Sequence, residues 1–375
     1  MTSKKSHHFD YLLIITVAVL LILGILILAS VSAVFSQEKF GETGYYLFHQ
    51  IILGLGVGIL LGFIAYKMPL SFFKKGGWVF LLINLVLMVL VFIPKLGVVS
   101  GGAPRWINFG FFTFQPSEFL KLTFIIYLSA WLAGRTKKRL STKDEKSWKL
   151  TLLPFLLILG FIALLLHFQS DASTLALIVA IAALMYFFSS TPLWHTLLIS
   201  SVIGGGLIFL ITFTSYRINR VLILLGLIDD PMGACYQIKQ ALITIGSGGI
   251  FGLGLGMSNQ KFGGFLPQTM SDSIFAVFAE EAGFIGCFVL ISLFLVFLWR
   301  SFRIVKDSQD RFSQLFAGGI SSWICLQAFI NIGAMVGILP LTGIPLPFIS
   351  YGGSHMVAEL VGIGILLNIS KSSRK

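Results

Sequence analysis

Apolar residues run along this chain in long blocks, and the polar residues gather between the blocks instead of alternating with them. Ten blocks approach or exceed the ~20 apolar residues that a bilayer-spanning helix needs. They lie at roughly 11–35, 45–66, 78–94, 115–133, 150–168, 174–189, 194–213, 273–299, 313–338 and 353–369. Short alternating segments would mark a transmembrane β-barrel. These runs are continuous, so the expected fold class is an all-α polytopic membrane protein with about ten transmembrane helices. The first run is too long for a signal-peptide core and lacks an A-x-A-like cleavage site, so it reads as a helix. A single integral membrane domain over residues 1–375 is expected.

Composition supports this reading. Of 375 residues, 56% are hydrophobic and only 11% charged, against roughly 25% charged in soluble domains. That excludes a water-soluble globule and a disordered chain alike, since neither the polar surface nor the solvation is there. The net charge is +12. In a soluble protein this would point to nucleic acid; here its distribution records orientation. Placing the N-terminus inside puts 19 of the 27 Lys and Arg in the N-terminal tail, the alternate loops and the C-terminal tail, seven of them between Arg135 and Lys149. Both termini are therefore expected on the cytoplasmic side. The outer half is slightly acidic, and no nucleic acid is expected as a partner.

Loop lengths are uneven. Residues 214–272 form a large outer loop in which Val221–Ile228 and Ala241–Leu255 are apolar or Gly-rich. Such a segment is expected to lie in the interface or dip back toward the membrane, and long loops in compact proteins are usually functional. A second outer segment, 339–352, reads LPLTGIPLPFISYG. Its prolines and glycines forbid a regular helix, so an ordered turn structure packed on protein is expected. GSGGIFGLGLG (Gly246–Gly256) has no βαβ context and no following GK[ST], which makes a phosphate loop a poor reading. Cys235, Cys287 and Cys325 are too scattered for a disulfide framework or a CxxC metal site, and the six His show no HExxH spacing.

Ionisable residues at membrane depth are functional candidates. Glu118 and Lys121 stand three apart on one helix face, either as a self-neutralising pair or as part of a site. Asp171, in FQSDAST, reads as a helix cap or, if it reaches Lys121, as the third member of a carboxylate–ammonium–carboxylate cluster. Asp272 closes the long loop in LPQTMSDSIFAVFAEE; capping of the eighth span and catalysis are both open to it. Glu280 and Glu281 follow two turns deeper and, being about 100° apart on a helix, face different partners. Glu359 stands mid-span with no partner in its own helix. Outer cations are scarce, chiefly Arg105, Arg217, Arg220, Lys239 and Lys261: Arg105, beside Trp106, anchors a helix end or holds a phosphate, and Arg217 and Arg220, which break the positive-inside pattern, favour an anionic ligand.

Three segments carry a resemblance: GGAPRWINFGFFTFQPSEFLK; YRINR with the DDPMGACYQIKQ…MSDSIFAVFAEEAGFIG stretch; and NIGAMVGILPLTGIPLPFISYGGS. In this order they resemble the SEDS family, the FtsW, RodA and SpoVE type, over about residues 10–370, with wording nearer FtsW. The resemblance implies ten spans, both termini inside, and polymerisation of lipid II into glycan strands at the outer face of the cytoplasmic membrane. It implies that Asp272 is the catalytic aspartate. Glu118, Lys121 and Asp171 would form the family's polar cluster, and Arg217, Arg220 and Lys261 its loop cations. It also implies a class B penicillin-binding protein as transpeptidase partner, within the division or elongation machinery. Ser271 and Ser273 depart from the family's usual Thr and Phe, Gln268 from its Glu, and QSDAST from its QPDxGT.

The chemistry expected is general-base catalysis. Asp272 takes the proton of an acceptor 4-hydroxyl as it displaces polyprenyl pyrophosphate from the donor's anomeric carbon, with inversion. Arg217, Arg220, Lys261 or a divalent cation (Mg or Mn) would offset the leaving charge. The alternative is a lipid II transporter lined by Glu118, Lys121 and Asp171, against which stand the outward position of the motifs and the lack of inverted repeats.

Overall fold

The computed structural model describes residues 10–100, 102–110, 112–141, 147–189, 234–260 and 266–371, with a few isolated positions between 190 and 233. The order is α1 (Tyr11–Phe40), α2 (Tyr45–His49) running through a π-helical stretch, Gln50–Gly56, into α3 (Val57–Lys67), and α4 (Leu70–Leu90). Three short strands follow, β1 (Gly97–Ser100), β2 (Ala103–Asn108) and β3 (Thr113–Phe114). Next come α5 (Pro116–Ser141), α6 (Ser147–Phe168), α7 (Ala172–Phe188), α8 (Ala234–Ser247), α9 (Ile274–Asp307), α10 (Arg311–Met335) and α11 (Gly353–Lys371). Nine of the ten apolar blocks coincide with helices; the block 194–213 lies almost wholly outside the described residues. Among the described residues six helices are long and apolar enough to cross a bilayer. The protein is thus an α-helical, multi-pass membrane protein, as the apolar blocks predict.

The helices are not equally placed. α10 and α11 are buried over most of their length, whereas α1, α3, α4 and α9 each turn a large apolar face outward. Leu and Phe side chains exposed on those faces suit lipid, so burial sorts central from peripheral spans. α11 lies against α3 at glycine contacts: a Cβ on Gly364 would sit 2.0 Å from the Gly62 carbonyl oxygen. Small residues permit such close approach of helices in lipid. At the end of the molecule opposite the loops, the Asp10 carboxylate caps α1 through Leu13 N–H (3.0 Å) and accepts two bonds from the Arg300 guanidinium of α9 (2.5 and 3.2 Å).

The sheet is an addition to the expected all-helical pattern. β2 pairs antiparallel with β1 (Val98 opposite Trp106) and with β3 (Ile107 opposite Phe114). The strands are too short, and too interrupted by glycine, to leave a period-2 signal in the sequence. The sheet carries Arg105 to the site end of the molecule.

Candidate active site

Asp272 stands two residues before α9 and is 9% exposed. The N-cap position belongs to Ser273, so the capping reading of Asp272 is corrected. Ser273 does not cap with its side chain either. Its hydroxyl donates to the Pro267 carbonyl (2.8 Å) and accepts from Gln237 Nε2 of α8 (3.1 Å). The Asp272 carboxylate accepts from the Ser271 hydroxyl (3.0 Å), which also faces Gln268 (3.1 Å to Oε1). The departures Ser271, Ser273 and Gln268 therefore all enter the local bonding around this aspartate.

The wall facing Asp272 is the Pro/Gly segment 339–352. It packs as ordered turns on protein. Tyr351 N–H donates to the Met270 carbonyl (2.8 Å), the Ser350 hydroxyl donates to the Ser271 carbonyl, and the Ser173 hydroxyl of α7 donates to the Thr342 carbonyl. Gly343, at φ +70°, borders it: a Cβ there would be 3.8 Å from Asp272 Oδ2. Tyr351 also hydrogen-bonds His49 Nδ1 (3.0 Å), and burial pushes its phenol up.

The segment is anchored from beneath by buried polar groups on α5, α10 and α11. Lys121, 1% exposed, pairs with Glu118 (2.6 Å), donates to Gln327 Oε1 (2.9 Å) and lies over the Trp323 ring (5.3 Å). Gln327 Nε2 donates to the Pro345 carbonyl and to Glu359 Oε1 (both 3.1 Å). Glu359 Oε2 accepts from the N–H of Phe348 (2.9 Å), a non-glycine residue held at φ +64°. Glu359 thus gains a role that the sequence left blank: it fixes a strained turn of the 339–352 segment. One turn further along α10, Asn331 Nδ2 donates to the Ile344 and Asp272 carbonyls (both 2.8 Å). Gln327 and Asn331 are functional candidates missed in the sequence. Their signal was an i, i+4 pair of amides on one face of an apolar span.

The expected Glu118–Lys121–Asp171 cluster does not form. Asp171 caps α7 through Thr174 N–H (3.1 Å), and Lys121 has Glu118 as its ion-pair partner. Arg105 likewise turns inward: its guanidinium donates to the carbonyls of Gln169 (3.1 Å) and Ser170 (2.6 Å), tying the sheet to the α6–α7 turn. Trp106 is half-buried beside it in β2. Arg217, Arg220 and Lys261 lie outside the described residues.

Glu280 and Glu281 face different partners, as their spacing requires. Glu280 accepts from the Ser247 (3.2 Å) and Ser258 hydroxyls, and Glu281 from Ser30 of α1 (2.6 Å). Immediately beyond them α9 breaks at Gly283 (φ +64°). The Gly-rich segment fills the gap in the backbone ladder. The carbonyls of Glu280 and Glu281 accept from Leu253 and Gly254 N–H (2.9 and 3.0 Å). Phe284 and Ile285 N–H donate to the Gly249 and Ile250 carbonyls (2.9 and 3.2 Å). The segment thus supplies partners to four main-chain groups at the break, as buried backbone requires. GSGGIFGLGLG is thus a close-packing strap, not a nucleotide loop. The segment lies alongside α9.

Among the described residues no three His, Cys, Asp or Glu converge as a metal cage.

The model of the FtsW/RodA/SpoVE family, cell cycle proteins, matches residues 10–375. The chain belongs to this family. Among its FtsW/RodA/SpoVE relatives, stage V sporulation protein E of Bacillus subtilis (strain 168) is 36% identical over 374 residues, covering 100% of both chains. A probable peptidoglycan glycosyltransferase FtsW of Coxiella burnetii is 35% identical over 371 residues, covering 98% of each. Among solved structures, a chain of a peptidoglycan synthase complex that coordinates polymerization and crosslinking superposes with a TM-score of 0.76. It is 26% identical, over 96% of this chain and 97% of that one. The rod shape determining protein RodA of Thermus thermophilus superposes with a TM-score of 0.70 at 26% identity, over 98% of both.

Proposed function

We propose that the protein is a peptidoglycan glycosyltransferase that polymerises lipid II into glycan strands, with its site on the outer face of the cytoplasmic membrane. It acts for cell division or cell shape. The observation that carries the reading is a carboxylate, Asp272, held at a junction of three outer elements and faced by a residue without a side chain, Gly343. That leaves room for a hydroxyl beside the carboxylate. The bond that forms joins the acceptor's 4-oxygen to the donor's anomeric carbon. The bond that breaks joins that carbon to the pyrophosphate, which leaves with the electron pair, and the hydroxyl proton passes to Asp272. A single displacement inverts the α-linked donor to a β-linked product. Arg217, Arg220 and Lys261 are assigned to the leaving pyrophosphate by resemblance. Glu118, Lys121, Asp171, Arg105, Trp106, Glu280 and Glu281 act as supports that shape the site. A class B penicillin-binding protein is the proposed cross-linking partner.

The test is purified protein with lipid II, assayed for glycan strands. Wild type is expected to make polymer, and Asp272→Asn to lose it by at least about 10²-fold, the contribution of a positioned base. An Asp272→Asn variant that polymerises normally overturns the assignment. The transporter reading has one observation in its favour, the buried Glu118–Lys121 pair. It predicts lipid II crossing vesicles without polymer, so the same preparation separates the two.

A further inference from the structure

We infer that Asn331 is a positioning residue for the Asp272 reaction, setting the width of the slot between the aspartate and the Pro/Gly segment. The inference rests on the general-base reading of Asp272. Asn331 lies on α10 and is 1% exposed. A primary amide nitrogen carries two hydrogens, and here each has its own acceptor: the main-chain carbonyl of Asp272 and that of Ile344, both at 2.8 Å. With two carbonyls on this side, the nitrogen and not the oxygen must point there. The two acceptors are far apart in sequence and belong to opposite walls of the site. One is the peptide of the proposed base itself. The other adjoins Gly343, where an added Cβ would lie 3.8 Å from that base's carboxylate.

One side chain thus fixes both walls to a single helix. Residues 266–273, irregular in backbone, have no helix or strand ladder of their own to hold Asp272. α10 is buried on most of its surface and supplies the rigid reference. Gln327, one turn away on the same face, repeats the arrangement by holding the Pro345 carbonyl and Glu359 (3.1 Å each). Asn331 makes this clasp although its own Oδ1 is buried with no hydrogen-bond partner. A buried unpaired acceptor is costly, and an apolar side chain of similar size would avoid it. The donor pair is what an apolar side chain would lose. A misplacement of about 1 Å in an active site costs up to 10²-fold in rate, so the clasp acts on kcat, not on capture of the lipid substrate.

The experiment uses full-length protein in detergent with lipid II, comparing wild type, Asn331→Leu, Asn331→Gln and Asp272→Asn. The amount of folded enzyme is normalised by lipid II binding. Asn331→Leu removes both donors at similar volume, while Asn331→Gln keeps them and displaces them by one methylene. Both are expected to lose at least tenfold in kcat with KM for lipid II within twofold of wild type. If Asn331→Leu does not yield folded protein, Asn331→Gln decides alone. Wild-type kcat per folded molecule in either variant overturns the inference, as does a loss confined to the yield of folded protein or to KM. An active Asp272→Asn removes the general-base reading on which the inference rests. An inactive Asp272→Asn beside a fully active Asn331→Leu removes only the role of Asn331.

Discussion

The charges of this protein are few, and among the described residues nearly every buried one has a specified partner. Lys121 is the sharpest instance. An ammonium ion 1% exposed persists only because Glu118, Gln327 and the face of Trp323 replace its water. Lys121→Met is expected to destabilise the protein by about 3–5 kcal/mol, because it strands the Glu118 carboxylate. The double change with Glu118→Gln is expected to cost less than Lys121→Met alone; thermal unfolding in detergent micelles reads both. The sequence spacing gave the pair, since i, i+3 neighbours share a helix face whatever surrounds them. It left open whether Asp171 joined them, and there the cap won: a carboxylate at a helix start finds a backbone N–H within its own turn, whereas Lys121 depends on how α5 and α7 pack. Asp272 followed the opposite course. Its position invited a cap, yet Ser273 took the cap site, and the carboxylate accepts from the Ser271 hydroxyl.

At the scale of elements, hydropathy located the helices, because bilayer thickness sets their length. It was blind to interruptions within them. Gly283 breaks α9 inside a continuous apolar run, and only the strap 248–254 makes that break tolerable, by supplying the missing backbone partners. Gly252 stands in the strap at φ +82°, and a Cβ there would lie 2.2 Å from the Glu281 carbonyl oxygen. Gly252→Ala is therefore expected to lower stability by about 1–3 kcal/mol or more and to depress polymerisation. Gly246→Ala, in α8 with nothing within 4 Å of the added methyl, is expected to leave both unchanged. Unfolding midpoints and polymer yield of the two variants, measured side by side, check the contrast. The three-stranded sheet escaped the sequence for a related reason: two to six residues per strand are too few for an alternation to stand out.

Over the whole molecule, the alternation of ends is internally consistent. Asp10 meets Arg300 at one end, and the 97–114 sheet, the α6–α7 turn, Asp272 and the 339–352 segment meet at the other. Which end faces the cytoplasm rests on the 19 basic residues assigned to one side. In a background with the three cysteines replaced, Glu42→Cys is expected to react with a membrane-impermeant thiol reagent in intact cells. Lys75→Cys should react only after permeabilisation; both positions are exposed on the protein. The reverse pattern would invert the topology. The sequence by itself determined the helical membrane class, the rough spans, the expected orientation and the short list of candidate charges. Each of these is written in local composition: a bilayer demands long apolar runs with self-satisfied backbones, and charge bias is a property of loops. Only the tertiary structure decided which of those charges meet. Gln327 alone joins Pro345, 18 positions away, and Lys121, 206 away, and Tyr351 meets His49 across 302 positions. Contacts of that range depend on the packing of whole helices, which no local pattern encodes.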